Sequence, residues 1–272
     1  MEKLLIYSRF VKLEHTLFSL PLLFAGALLA GRQWPSWNLS FLILGAGTGA
    51  RTVAFALNRI IDRKIDHLNP RTALRELPKG TMSLKEAWGI ALVGTILYMG
   101  CAWAIAPICF YVSPLPILVF VIYAYLKRFT PLAHFGVGLA DAFAPWGGYV
   151  AVTRSLHPFW PGFWLALFTF FWVSGFDIIY ATLDEAFDRT HHIYSLVSVY
   201  GKRIALLVSG ILHLLAFGSL AFLYCLSFRN SSAGQRFKNS TPKIAPEAPE
   251  IPMIILIDKS LPIQNLEYQI PK

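Results

Sequence analysis

Charge is what this chain has least of. Of its 272 residues only 14% are Asp, Glu, Lys or Arg against 56% hydrophobic, and the mean hydropathy is +0.53. A soluble domain keeps about a quarter of its residues charged, so a water-soluble globule is excluded. Cysteine is scarce as well: Cys101, Cys109 and Cys225 form no CxxC pair, which argues against a disulfide framework or a thiolate metal site. They read as buried, reduced packing residues. No small-residue cleavage site follows the first apolar stretch, although Lys3, Arg9 and Lys12 precede it, so that stretch reads as a retained helix rather than a cleaved leader.

Long apolar runs, by contrast, recur along the first five sixths of the chain. They fall at about 17–30, 39–57, 87–106, 108–126, 132–152, 163–183 and 204–226. Each approaches the ~20 residues needed to cross ~30 Å of hydrocarbon, which predicts an all-α, polytopic membrane helical bundle with seven spans. From about Ser227 the composition turns to Ser, Asn, Gln, Lys and Pro, with six prolines between Pro242 and Pro271 and one short apolar run, Met253 to Ile257. Five residues cannot span a bilayer, so the expected organisation is a helical bundle over 1–226 and a disordered polar tail over 227–272.

The net charge of +9 raises the question of nucleic acid, and its distribution answers it. The bases sit in every second loop. Lys3, Arg9 and Lys12 come first, then Arg59, Arg63, Lys64, Arg71, Arg75, Lys79 and Lys85, then Lys127 and Arg128, then Arg189, Lys202 and Arg203. The opposite loops carry Arg32 and Arg154. This is the positive-inside pattern of a multi-pass protein in a bacterial inner membrane, with those loops in the cytoplasm and no nucleic-acid partner required. The basic residues of the tail, which seven spans place outside, run against that pattern.

Two of the cytoplasmic loops are long, and each follows a span that ends in acids. On a helix, residues four apart share a face, so Asn58, Asp62 and Asp66 form a ladder of oxygen ligands. Asp184 and Asp188 repeat the spacing, with Asp177 two turns earlier. Hard cations take oxygen ligands, and Mg2+ binds through a few carboxylates together with substrate phosphates, so a magnesium-bound diphosphate is the simplest ligand class. The plain alternative is that the acids pair with Arg59, Arg63, Lys64 and Arg189 as solvated helix ends. Tyr123, Lys127 and Arg128, in YAYLKRFT at the end of the fourth span, add a phenol and cations suited to an anionic leaving group. A Lys-Arg pair after a span is also an ordinary topology anchor.

The segment NRIIDRKID (58–66), continuing into HLNPRTALRELPKG, resembles the first aspartate motif of the UbiA superfamily of intramembrane prenyltransferases. DIIYATLDEAFDR (177–189) resembles the second, with Asp177, Tyr180, Asp184 and Asp188 at the family's offsets. YAYLKRFT resembles the motif between them, and RFVKLEHTLFSLP (9–21) the N-terminal entry. Within the family these motifs are most similar to the bacterial 4-hydroxybenzoate polyprenyltransferase branch, which includes relatives from the futalosine route to menaquinone. Arg59 departs from many members, which carry an acid there. The family folds as nine helices around a cavity. Seven here imply that the last two are missing, as a truncation or frameshift would produce.

The resemblance implies transfer of a polyprenyl group from an allylic diphosphate to an aromatic acid in quinone biosynthesis. Mg2+ would be held by Asn58, Asp62, Asp66, Asp184 and Asp188, with Tyr123, Lys127, Arg128, Tyr180 and Arg71 binding substrate. Asp66 and Asp177 are candidates for a second metal or for cation stabilisation and proton removal. Arg71 and Arg75 could cap the mouth, and Lys12 and His15 could face the cavity. Asp141 is an intramembrane carboxylate to which the resemblance gives no role. A truncated, inactive homologue and a membrane cation transporter are the competing readings, the second disfavoured because the acids crowd one face.

Overall fold

The computed structural model describes residues 2–229. The polar segment expected from 230 to 272 lies outside the described residues, as do the side chains of 13–18, His15 among them. The described chain is helical throughout, with α1 Glu2–Phe10, α2 Leu13–Gly31, α3 Trp37–Leu68, α4 Leu84–Ile105, α5 Pro107–Val112 and α6 Pro114–Leu126. They are followed by α7 Ala133–Thr153, α8 Phe159–Ala181, α9 Glu185–Thr190, α10 Leu196–Tyr200 and α11 Lys202–Arg229. Each expected apolar stretch is largely helix, with a break at Ser113 and an end at Ala181 rather than 183. Five of them are long and apolar enough to cross a membrane: α3, α4, the α5–α6 pair, α8 and α11. The apolar part of α2 is shorter, Ser19–Gly31, and α7 carries His134 and Asp141. Many large apolar side chains, such as Leu92, Val93 and Ile96 of α4, are exposed, as a lipid-facing surface requires.

Local sequence explains where the functional ends fall. The 32 residues of α3 extend about 48 Å at 1.5 Å per residue, against ~30 Å of hydrocarbon, so its last turns project past the membrane core. Asn58, Asp62 and Asp66 lie on those turns. The helix stops at Asn69, which is extended (φ −86°, ψ 117°), because Pro70 disfavours helical geometry in the residue before it. The following chain is a run of tight turns, Thr72 N–H and Ala73 N–H both donating to the Asn69 carbonyl. It ends at α4, whose first turn is closed by the reciprocal Ser83–Glu86 capping box.

Contrary to the expected stretch over 163–183, α8 ends at Ala181, and Asp184 caps a separate short helix, so Asp177 does not share one continuous helix with Asp184 and Asp188. The break arises because the N–H groups of Thr182, Leu183 and Asp184 each bond the carbonyl three residues back, tightening the last turn. Asp188 N–H still bonds the Asp184 carbonyl at 2.8 Å, which keeps those two acids one turn apart. The cysteines also depart from expectation. Cys109 is buried and Cys101 partly so, but Cys225 is exposed on α11, and all three are free.

Helix pairs close through small residues. A Cβ on Gly148 of α7 would lie 1.9 Å from the Leu23 carbonyl oxygen of α2, and one on Gly26 would lie 1.8 Å from the Pro145 carbonyl oxygen. Two backbones in such contact cannot admit a methyl group without moving apart. Gly148→Ala is expected to destabilise the bundle by about 1–3 kcal/mol, seen as a lower thermal midpoint in detergent, whereas Gly89→Ala, with open space at its Cβ, leaves the midpoint within about a degree or raises it slightly.

Candidate active site

The long turn after α3, the end of α6, the start of α7 and the α8–α9 break meet around a pocket of about 390 Å³. Its wall holds Asn58, Asp62, Asp66, Tyr123, Lys127, Asp177, Tyr180, Asp184 and Asp188, with Arg71 and Arg75 beside them. The two acid clusters, over a hundred residues apart in sequence, thus face one space. Arg128 is the exception among the expected residues. It is not on the wall: its guanidinium donates to the Ala124 and Ile61 carbonyls at 2.9 Å, stacks on Tyr125 and reaches Asp62 only at 3.5 Å.

Three of the acids are paired with cations, but not with the basic residues nearest in sequence. Asp62, 1% exposed, accepts from Lys127 Nζ at 2.5 Å and from Asn58 Nδ2 at 3.2 Å. Asp66 accepts from Arg75 at 2.8 Å. Asp184 takes Arg71 through Nε at 2.8 Å and Nη2 at 2.5 Å, with Asn69 Nδ2 at 3.0 Å. Three of the four expected alternative partners are occupied elsewhere, Arg59 by Glu76 and the Phe10 ring, Arg63 by the Ile60 carbonyl and Arg189 by Glu185. Solvated helix ends pair locally along one helix. These pairs instead bridge separate elements, and they bring cations from the loop and from α6 onto the carboxylates.

Electrostatics separate the two acids of the α8–α9 break. Burial pushes Asp188 up to about 6, helped by the neighbouring Asp184 charge and opposed by a Ser195 hydrogen bond and by Lys127. Burial acts on Asp184 in the same direction, but the hydrogen bonds from Arg71 and Asn69, with the charges of Arg71 and Arg75, outweigh it and hold that carboxyl below its usual range.

Behind the mouth lies a second, apolar cavity of about 280 Å³, and Tyr123 borders both. On its wall Arg51 of α3 donates to Asp141 of α7 at 2.9 Å and stands over the Phe55 ring. The Arg51 Nε is buried without a hydrogen-bond partner. This ion pair neutralises the one acid among the described residues that a midplane ion path could have used. Arg51 went unnoticed in the sequence, as did Asn69 and His134. A cation inside an otherwise apolar run, two helical turns before Asn58, was the available signal for Arg51.

Residues 19–233 match the model of the UbiA prenyltransferase family. The chain belongs to that family. Among its relatives are the 4-hydroxybenzoate octaprenyltransferase of Vibrio campbellii, 28% identical over 229 residues, covering 82% of this chain and 78% of the relative. The 4-hydroxybenzoate solanesyltransferase of a Synechocystis species is 30% identical, covering 75% and 68%. The apo structure of a UbiA homolog from Aeropyrum pernix superposes with a TM-score of 0.71 at 35% identity, covering 76% of this chain and 77% of that one. A UbiA homolog from Archaeoglobus fulgidus, solved with GPP and Mg2+, shares the fold at a TM-score of 0.68 and 20% identity, covering 81% and 78%.

Proposed function

We propose that this chain is a magnesium-dependent prenyltransferase that joins a polyprenyl group from an allylic diphosphate to an aromatic acid in quinone biosynthesis. The observation that carries this reading is the pair of chambers meeting at Tyr123, one rich in carboxylates and cations and one apolar with a buried arginine. The names of the relatives and the GPP and Mg2+ of the Archaeoglobus homolog support it. The positive-inside pattern supports a polar mouth on the cytoplasmic side of a bacterial inner membrane.

The donor set fits magnesium. Asn58, Asp62, Asp66, Asp184 and Asp188 offer only oxygen, the hard ligand type, and cations stand ready for the phosphate oxygens that would complete the shell. Among the described residues no three His, Cys, Asp or Glu side chains yet form a metal cage. The carboxylates are instead held by Lys127, Arg71 and Arg75, groups that an incoming diphosphate would draw onto itself. Bound magnesium supplies Lewis-acid neutralisation of the departing diphosphate.

The chain's own residues do the rest. Lys127, Arg71 and Arg75 take the charge that accumulates on the diphosphate as the allylic C–O bond breaks. The acceptor lies in the apolar cavity, its carboxylate on Arg51, whose unpartnered Nε offers a donor. Its electron-rich ring attacks the allylic carbon past Tyr123. Loss of the ring proton to a carboxylate restores aromaticity, and the position of Asp177 on the wall of the mouth supports assigning it that role.

The test is prenylation of 4-hydroxybenzoate from geranyl diphosphate by membranes holding the protein, abolished by EDTA and restored by Mg2+. No magnesium-dependent product would sink the reading. Asp188 adds a pH signature. Metal binds the carboxylate form, so below about pH 6 protons compete, and the apparent Mg2+ affinity is expected to weaken by up to about tenfold per pH unit. Asp188→Asn should flatten that profile.

A further inference from the structure

One buried group of the mouth takes no part in the proposed transfer. His134, 4% exposed at the start of α7, meets Asp177 of α8 with Nδ1 and Oδ2 2.7 Å apart. Its other ring nitrogen, Nε2, lies 3.3 Å from the backbone nitrogen of Leu196, the first residue of α10. A backbone N–H can only donate, so Nε2 must be an acceptor. The imidazole is therefore neutral with its proton on Nδ1, and that proton is given to Asp177.

The chemistry of this contact differs from that of the neighbouring acids. Asp62, Asp66 and Asp184 lie against Lys127, Arg75 and Arg71. No lysine or arginine among the described residues lies within ion-pair distance of Asp177, whose partner is the neutral histidine. A neutral donor fixes a carboxylate without cancelling its charge. The second oxygen of Asp177, Oδ1, has no partner among the described residues. Its side chain is 36% exposed on the wall of the mouth. The frame behind His134 is firm, because Leu196 opens a turn closed by reciprocal Ser195 and Ser198 side-chain bonds, and Tyr194 N–H bonds the Lys127 carbonyl at 2.8 Å.

We propose that His134 is the positioning residue of Asp177, held by the Leu196 N–H in the one tautomer that aims an anionic carboxylate oxygen at the reacting carbon. The proposal rests on the prenyl-transfer reading. In that reaction the allylic C–O pair leaves with the diphosphate and the ring forms the new C–C bond. The ring C–H pair then returns to the aromatic system as the proton passes to Asp177 Oδ1, and from there to water at the mouth. His134 takes no proton, since Nε2 is committed to Leu196.

Two amides separate the two halves of the contact. Asn carries an amide N–H near the place of Nδ1, while the longer Gln carries its amide out to the place of Nε2. Purified wild-type and variant chains are compared with geranyl diphosphate, 4-hydroxybenzoate and Mg2+, with thermal midpoints as the folding control. His134→Leu and His134→Gln are expected to lose about 10- to 100-fold in kcat with the KM for geranyl diphosphate within about twofold, and His134→Asn to recover most of the loss. In an Asp177→Asn background, His134→Leu should cost less than about twofold more, because the partner it positions is already disabled. Equal losses in the Asn and Gln variants, or a full loss added in the Asp177→Asn background, overturn the proposal while leaving the wild-type reaction intact. Absence of transfer by the wild-type chain overturns the functional reading, and the proposal with it.

Discussion

Asp62→Asn is expected to lower kcat/KM for prenyl transfer by at least about 10³-fold, the largest effect of any single substitution in this chain. The side chain is nearly inaccessible and sits where α3, Asn58 and Lys127 converge, so in the proposed reaction one carboxylate would organise both a metal ligand set and a cation for the leaving group. Asn preserves the size and one carbonyl oxygen but removes the charge that holds Lys127. The fold should survive. Lys127 is 27% exposed and can turn to water at the mouth, which limits the cost to about 1–3 kcal/mol, below that of a fully enclosed pair. Steady-state transfer, read beside the thermal midpoint, separates the two effects. Turnover within tenfold of wild type would remove Asp62 from the site.

The second large effect is expected on the acceptor. Arg51→Met combined with Asp141→Asn removes both charges of the apolar cavity together, so that no lone ion is left in it. A charge-assisted hydrogen bond to a carboxylate contributes about 1.5–3 kcal/mol, which predicts a rise of roughly 10- to 100-fold in the KM for an aromatic acid. The KM for the allylic diphosphate, assigned by the proposal to the other chamber, should stay within about twofold. The single change Asp141→Asn is the informative control. It frees Arg51 while leaving the proposed acceptor contact in place, so it should cost far less. An unchanged acceptor KM in the double variant would show that the carboxylate docks elsewhere.

Much of this site is legible in the amino-acid sequence, for a reason visible in its residues. Asn58, Asp62 and Asp66 lie on one helix, and helical periodicity converts their spacing directly into a shared face. The same logic reaches Asp184 and Asp188, although the helix expected to carry them breaks at Ala181 and a tight turn preserves the one-turn separation. It fails for Arg128, whose position beside Lys127 suggests a shared role. Adjacent residues at a helix end point in different directions, and Arg128 turns back to bind the carbonyls of Ala124 and Ile61. It fails for His134 as well, which has no periodic acidic neighbour in its own helix apart from Asp141 and acquires meaning only from Asp177 and Leu196.

The sequence by itself determined the membrane bundle, its helices and the two acid clusters, because hydropathy and helical period are local properties that need no partner. Only the tertiary structure decided which cation meets which carboxylate. Arg71 reaches Asp184 across 113 positions, Lys127 reaches Asp62 across 65, and Arg51 closes on Asp141 across 90. Such pairings follow from how helices cross and where loops return, and no local pattern encodes them.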